Sequence, residues 1–146
     1  MSEIIMLSYG IFRKSDDGYH QPGKHLGTLQ LGGFKMYSAG GFPYAIPDCE
    51  DYEFPYRPIV HDETSNSSIT VDKWKMSKAQ LRSMDQVEGV PFHYTREIVY
   101  GHGFIYIPNR NRWGQVRRLP RVESGDFLKY KQAYATATGD YYEQYY

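Results

Sequence analysis

The chain has 146 residues, the usual size of a single domain with one hydrophobic core. Its 17 lysine and arginine residues balance its 17 aspartate and glutamate residues, so no overall charge attracts nucleic acid or an anionic membrane surface. A single cysteine excludes an internal disulfide and a cluster of thiolate ligands, and no apolar run approaches the roughly 20 residues that span a bilayer. The N-terminus lacks the basic and then apolar pattern of a secretory signal. We therefore expect a soluble protein of the cytoplasm.

Strands are predicted throughout the first half of the chain, and the 15 tyrosines also favour β-structure. The apolar run EIIMLSYGIF, residues 3–12, predicts a central strand that ends in a turn at Gly10. Residues 27–38 predict one or two strands with a bend at Gly32 and Gly33. Residues 39–58 contain four prolines, so we expect irregular surface chain there.

The second half of the chain mixes strands with helices. SSITVDKWKM, residues 67–76, predicts a strand, and residues 77–89 predict a helix that begins after Ser77 as its N-cap and stops at Gly89. Residues 93–109 predict two strands joined by a glycine turn, and residues 124–138 predict a last short helix. With no repeat and no linker, the chain reads as one domain over residues 1–131 and a tyrosine-rich C-terminal tail over residues 132–146.

Two acids stand near the end of the predicted helix. Asp85 and Glu88 are three residues apart and therefore lie near one face. The negative end of the helix dipole disfavours carboxylates there and raises their pKa, as partial burial would, toward the range of a general base near neutral pH. The alternative is that both acids are solvated and pair with Arg82 or Arg96. Spacing alone leaves both interpretations open.

Five short segments carry a resemblance to a known family. They are LSYGIFR at 7–13, GFPYAIP at 41–47, MDQVEGV at 84–90, YTREIV at 94–99 and SGDFLKY at 124–130. In this order they resemble the gamma-glutamylcyclotransferase-like family, of the gamma-glutamylamine cyclotransferase type, over roughly residues 4–131. The resemblance implies an α+β fold, a small mixed β-barrel with flanking short helices.

The resemblance also implies an activity and a site. Members release 5-oxoproline from a γ-glutamyl amine or amide by intramolecular aminolysis, without a cofactor or a metal, so the implied partner is a small γ-glutamyl substrate. Glu88 would be the catalytic acid and base. Backbone N–H groups of the turn after the first strand, together with one aromatic side chain, would bind the substrate, which gives the set Tyr9, Gly10, Ile11, Phe12 and Tyr94. Arg96 would pair with Asp85.

A second function stays open because the turn departs from the family pattern. Ile11 and Phe12 stand where a small hydroxyl residue or an asparagine is common, so we expect a narrower pocket. If Phe12 fills that pocket, the same fold becomes a non-catalytic module that binds a small ligand or an anion such as a nucleotide.

Other candidate sites are weaker. The five histidines lack the spacing of a helical metal pair, and Cys49 has acidic neighbours that disfavour a thiolate, so neither a metal site nor a nucleophile is expected. Residues 109–121, NRNRWGQVRRLPR, place five arginines around Trp113 and would suit phosphates or a stacked base. The alternative for this segment is a solvated loop between strands. Nucleic acid is therefore not an expected partner.

Overall fold

The computed structural model describes residues 4–10, 12–13, 21–48, 67–90 and 93–138. The predictions for Ile11, for Cys49 and for residues 139–146 of the tail lie outside these described residues. In chain order the elements are β1 (Ile4–Ser8), β2 (Lys24–Gly32), β3 (Phe34–Ser38), β4 (Pro43–Pro47), β5 (Ser68–Met76), α1 (Lys78–Glu88), β6 (Tyr94–Val99), β7 (Gly103–Pro108), a 3-10 turn (Arg110–Arg112), α2 (Trp113–Val116) and α3 (Phe127–Thr138).

The first strand is central, as predicted. Within the described residues one sheet has the strand order β2-β5-β1-β7-β6, and β3 and β4 form a second sheet. β1 is antiparallel to β5 and parallel to β7, so its neighbours cover it on both edges. The turn at Tyr9 and Gly10 therefore follows the central strand of this sheet, between β5 and β7.

Both sheets contribute to one core. Its buried side chains come from all seven strands, from α2 and from α3, and include Leu7, Phe34, Ile46, Ile69 and Ile105. The predicted α+β class with flanking short helices is confirmed, and where a small mixed β-barrel was predicted the described strands form two sheets around a shared core.

The prediction of irregular surface chain over residues 39–58 is wrong for β4. All five residues of Pro43–Pro47 are buried, and they pair with β3 from Ser38↔Pro43 to Phe34↔Pro47. The two prolines occupy the ends of the strand, where a missing N–H interrupts little of the ladder. Between them lies a short apolar run whose burial outweighs the proline signal.

Helix α1 has the predicted ends. The Ser77 side chain accepts a hydrogen bond from the Gln80 N–H (3.1 Å), and the Gln80 side chain accepts one from the Ser77 N–H (2.8 Å), which completes a capping box. Gly89 ends the helix in the left-handed conformation with φ 65°. The last turn of α1 is thereby fixed, which matters because it carries Glu88.

The interpretation of residues 109–121 as a solvated loop holds for Arg110, Arg117 and Arg118, which are exposed, but not for the secondary structure. The 3-10 turn and α2 occupy most of this segment, and the Trp113 ring is buried, with its Nε1 donating to the Pro108 carbonyl (2.8 Å). The burial of Trp113 stabilises α2 in a segment whose arginines had indicated an exposed loop.

The last helix crosses the predicted end of the domain. α3 runs without interruption from Phe127 to Thr138, past the boundary placed after residue 131, which stays a prediction. No helix among the described residues is long and apolar enough to cross a membrane.

Candidate active site

A cavity of about 150 Å³ opens where β1 ends, beside the β3–β4 turn and the last turn of α1. It contains Glu88 and every predicted substrate contact that the structure describes, namely Tyr9, Gly10, Phe12 and Tyr94. The other lining residues are Met6, Leu7, Ser8, Phe42, Pro43, Val87 and Tyr106. The fold thus brings the predicted residues together, although they are up to 85 positions apart in the sequence.

The turn after β1 is held by side chains beneath it. The Phe12 carbonyl accepts hydrogen bonds from the Ser8 hydroxyl (2.6 Å) and from Trp74 Nε1 (2.9 Å). The Arg13 N–H donates to the Gly10 carbonyl (3.1 Å) and closes the turn. Phe12 lines the cavity without filling it. These hydrogen bonds hold the backbone at Gly10 and Phe12 in place.

A buried ionic cluster anchors this turn to the rest of the fold. Arg13 Nε lies 2.7 Å from Asp72 Oδ2, and Arg13 Nη1 lies 3.2 Å from Asp126 Oδ1. Asp72 also faces His25 Nε2 at 2.8 Å and accepts a hydrogen bond from the Thr28 hydroxyl. Asp126 in turn caps the start of α3 by accepting from backbone N–H groups of that helix. The turn, β5 and α3 are thus joined through one arginine.

Glu88 is the carboxyl of the cavity. Among the described residues no hydrogen bond or ion pair holds it, and burial raises the pKa of Glu88 from 4.5 to about 7. Burial also raises the pKa of Tyr9 and of Tyr94, and the charge of Glu88 adds to both effects. Glu88 therefore sits near phenols that stay neutral, and a carboxyl with this pKa can both accept and donate a proton near pH 7.

Asp85, one helical turn away, has different surroundings. It accepts a hydrogen bond from the Tyr106 hydroxyl (2.6 Å), and Arg96 Nε lies 3.0 Å from the same oxygen. The predicted pair of Arg96 with Asp85 is confirmed. The interpretation that the acids pair on the surface thus fits Asp85, whereas Glu88 faces the cavity.

Aromatic rings surround the cavity and hold one another. The Tyr44 and Tyr94 rings are stacked with centroids 6.0 Å apart, and the Tyr9 hydroxyl donates to the Tyr106 carbonyl (2.7 Å). Tyr106 lines the cavity from β7, and burial together with its hydrogen bond to Asp85 raises its pKa. Fixed rings of this kind give the cavity a defined shape.

Sequence reasoning missed several lining residues. Tyr106 lies in the apolar strand GFIYIP, where a period of two places it on the same face as Phe104, so alternation was a usable signal. Phe42 and Pro43 belong to the segment GFPYAIP that carries part of the resemblance, but they were not singled out as site residues, nor was Val87, which directly precedes Glu88 in the chain.

The arginine segment does not offer a stacking platform. Trp113 is 4% exposed, so its face is not open to a base. Arg110 lies over the Trp113 ring at 5.3 Å, and Arg112 lies over Tyr44 and donates to its hydroxyl (2.9 Å). These cations support the fold around the cavity. Among the described residues no cluster of three or more histidine, cysteine, aspartate or glutamate side chains is placed to hold a metal ion.

Solved structures share this architecture. An AIG2-like protein from Mus musculus is 17% identical with a TM-score of 0.55, over 84% of this chain and 88% of that chain. Protein YtfP from Escherichia coli is 20% identical with a TM-score of 0.57, over 88% and 99%. An uncharacterized protein from Pyrococcus horikoshii is 18% identical with a TM-score of 0.59, over 91% and 97%.

The chain has the AIG2-like, gamma-glutamylcyclotransferase-like fold. No protein-family model matches the sequence, and no curated protein matches it. At these sequence identities the similarity establishes the AIG2-like fold only. An activity must be argued from the residues that line the cavity.

Proposed function

We propose that this AIG2-like protein releases 5-oxoproline from a γ-glutamyl amine or amide by intramolecular aminolysis. The observation that carries the proposal is the position of Glu88, a carboxyl that no described residue pairs, in the same small cavity as Tyr9, Gly10 and Phe12 after β1. The reaction needs a proton acceptor beside a group that binds the substrate's oxygens, and in this proposal Glu88 and the turn after β1 would supply the two.

The reaction follows from these groups. The Glu88 carboxylate takes a proton from the α-ammonium of the γ-glutamyl group, and the freed amine attacks the γ-carbonyl carbon. A new C–N bond closes the five-membered ring. Protonated Glu88 then returns the proton to the departing nitrogen as the original amide bond breaks, and the ring nitrogen gives up its second proton to solvent. The products are 5-oxoproline and the free amine, the reaction as written uses no cofactor or metal, and a pKa of about 7 suits both proton transfers.

The turn after β1 would bind the substrate's oxygens. Backbone N–H groups of Tyr9, Gly10, Ile11 and Phe12 are the proposed donors to the α-carboxylate and to the oxyanion that forms at the γ-carbon. The hydrogen bonds of Ser8 and Trp74 to the Phe12 carbonyl hold the backbone at Phe12 before substrate arrives. Such donors cost little reorganisation when charge develops. Tyr94 would form an apolar wall for the glutamyl chain.

The proposal has a direct test in solution. The protein is incubated with a panel of γ-glutamyl amines and amides, and 5-oxoproline is measured by chromatography and mass spectrometry. A panel member whose α-amine is acetylated is the matched control, because it lacks the nucleophile and cannot cyclise. We expect 5-oxoproline from at least one free-amine compound and none from the acetylated one. Binding in the cavity without any product would replace this proposal by the non-catalytic ligand-binding function.

A further inference from the structure

A second concave surface lies apart from the cavity that contains Glu88. It is an open groove of about 1080 Å³, just above the range of about 300–1,000 Å³ that is typical of pockets for small organic ligands. Its lining comes mainly from β1, β2, β5, α1 and the β6–β7 hairpin, and it shares no residue with the lining of the Glu88 cavity. The groove is therefore separate from the candidate active site.

Apolar side chains make up most of the groove, and several of them face solvent. Leu26, Ile98 and Tyr100 are 43%, 56% and 48% exposed, and they are three of the five exposed large apolar side chains among the described residues. Ile98 lies opposite Phe104 in the register of β6 and β7, so these two side chains share one face of the hairpin. A contiguous apolar surface of this kind typically marks a binding site.

The turn between β6 and β7 bounds the groove and is held in place by the backbone. The His102 N–H donates to the Val99 carbonyl (3.1 Å) and closes the turn. Gly103 lies so close to β1 that a Cβ there would overlap the Ile5 carbonyl oxygen. The backbone that carries His102 is thus fixed against β1.

Two basic side chains, Lys73 and His102, line the groove without an acidic neighbour. None of the described lining residues is aspartate or glutamate. Within the described part of the chain no hydrogen bond or ion pair involves the Lys73 side chain, whereas Arg96, the other cation of the lining, pairs with Asp85 (3.0 Å). Burial and the charge of nearby Lys73 both lower the pKa of His102. The positive charge at this place would therefore be balanced by an anionic group.

We propose that the groove binds a fatty-acid-like carboxylate, with the carboxylate at Lys73 and His102 and the alkyl chain along Ile98, Tyr100 and Phe104. Such a ligand has one negative charge for the two basic groups and a chain without polar atoms for the apolar lining. A peptide would bring a backbone donor and acceptor with every residue, and most lining side chains are apolar and could not pair them. The site is independent of the reaction proposed at Glu88.

Two soluble amphiphiles of opposite charge test the proposal. Decanoate and decyltrimethylammonium have alkyl chains of nearly equal length, and each is titrated into the native protein by calorimetry below the concentration at which it forms micelles. We expect decanoate to bind at least about tenfold more tightly, the effect of one hydrogen bond between charged groups. Octanoate should bind roughly tenfold more weakly than decanoate, because two fewer methylenes are buried. No binding of decanoate, equal affinities, or a preference for the cation would overturn the proposal.

Substitutions in the groove locate the site. Lys73→Gln is expected to lower the affinity for decanoate at least about tenfold without weakening the binding of decyltrimethylammonium. Lys24→Gln is the matched control, because Lys24 is an exposed lysine of β2 outside the groove, and it should bind decanoate as the native protein does. Ile98→Asp places a carboxylate at an exposed position beside the alkyl chain and should also weaken the binding of decanoate. Native affinity for decanoate in both groove variants would overturn the proposal.

A titration of His102 by NMR shows where the carboxylate binds. A carboxylate beside an imidazole favours its charged form, so saturation with decanoate should raise the pKa of His102 above its value in the free protein. Decyltrimethylammonium has no negative charge and should not raise it. A pKa of His102 that is the same with and without bound decanoate would place the carboxylate elsewhere and overturn the proposal.

Discussion

Asp85 and Glu88 lie three residues apart on α1 but have opposite surroundings. The Asp85 carboxylate accepts a hydrogen bond from Tyr106 (2.6 Å) and pairs with Arg96 (3.0 Å). The Glu88 carboxyl lines the cavity, and burial raises its pKa to about 7. Asp85 is thus bound into the structure, while no hydrogen bond or ion pair among the described residues holds Glu88.

The first prediction concerns Asp85→Asn. The amide keeps an acceptor for Tyr106 but loses the charge that pairs with Arg96, whose side chain is 40% exposed. We expect a loss of about 1 kcal/mol in the free energy of unfolding and a rate of 5-oxoproline release within a few-fold of the native protein. Urea denaturation and initial rates measure the two effects. A stable Asp85→Asn variant that has lost its activity would assign Asp85 a part in the chemistry.

The second prediction concerns the effect of pH on stability. The pKa of Glu88 is higher in the folded state (about 7) than its ordinary value of 4.5, so the folded state binds more protons between these values. The free energy of unfolding therefore falls as pH rises from about 4.5 to above 7, by up to about 3 kcal/mol from this group. Glu88→Gln has no such titration and should gain stability relative to the native protein over the same window. Parallel profiles in chemical denaturation at pH 5, 6, 7 and 8 would contradict the raised pKa.

The third prediction concerns the buried ion pair beneath the turn. Arg13→Gln leaves Asp72 buried without its closest cation, and removal of one partner of a buried pair typically costs about 3–5 kcal/mol. Arg118→Gln is the matched control, since Arg118 is exposed and its loss should change stability by no more than about 0.5 kcal/mol. Thermal and urea denaturation compare the two variants. Equal stability of both would show that the cluster does not anchor the turn.

The fourth prediction concerns Gly125, which precedes α3. It has φ 68°, and a Cβ there would overlap the Ser68 carbonyl oxygen of β5. Its own carbonyl accepts from the Thr70 N–H (2.8 Å), so the backbone cannot shift freely. We expect Gly125→Ala to cost on the order of 1–3 kcal/mol or more. Gly114→Ala, in α2 with open space around it, should be neutral or stabilising by up to about 1 kcal/mol. The reverse order of the two melting temperatures would contradict this account.

Much of the fold could be predicted because its signals are local. The ends of α1 follow from Ser77 and Gly89, the central place of β1 from its apolar run, and the β6–β7 hairpin from the glycines between two strand patterns. β4 could not be predicted in this way, because its two prolines read as irregular chain and only pairing with β3 accounts for a strand there.

The same distinction between local and tertiary signals applies to the candidate site. Glu88 and the turn at Gly10 lie in short sequence motifs, so both could be predicted. The anchoring of Arg13 by Asp72 joins residues 59 positions apart, and Phe42 reaches the cavity only because β4 is a strand. Such contacts depend on tertiary packing and could not be predicted from residue patterns along the chain.

The most direct test of the central claim is the rate of 5-oxoproline release by Glu88→Gln. Glutamine keeps the size of the side chain but cannot take and return a proton, and general acid and base catalysis is typically worth about 100 to 10,000-fold in rate. On a γ-glutamyl amine that the native protein converts, we expect kcat to fall at least about 100-fold while the variant stays folded and binds the substrate with similar affinity. Release of 5-oxoproline by Glu88→Gln at the native rate would contradict the account.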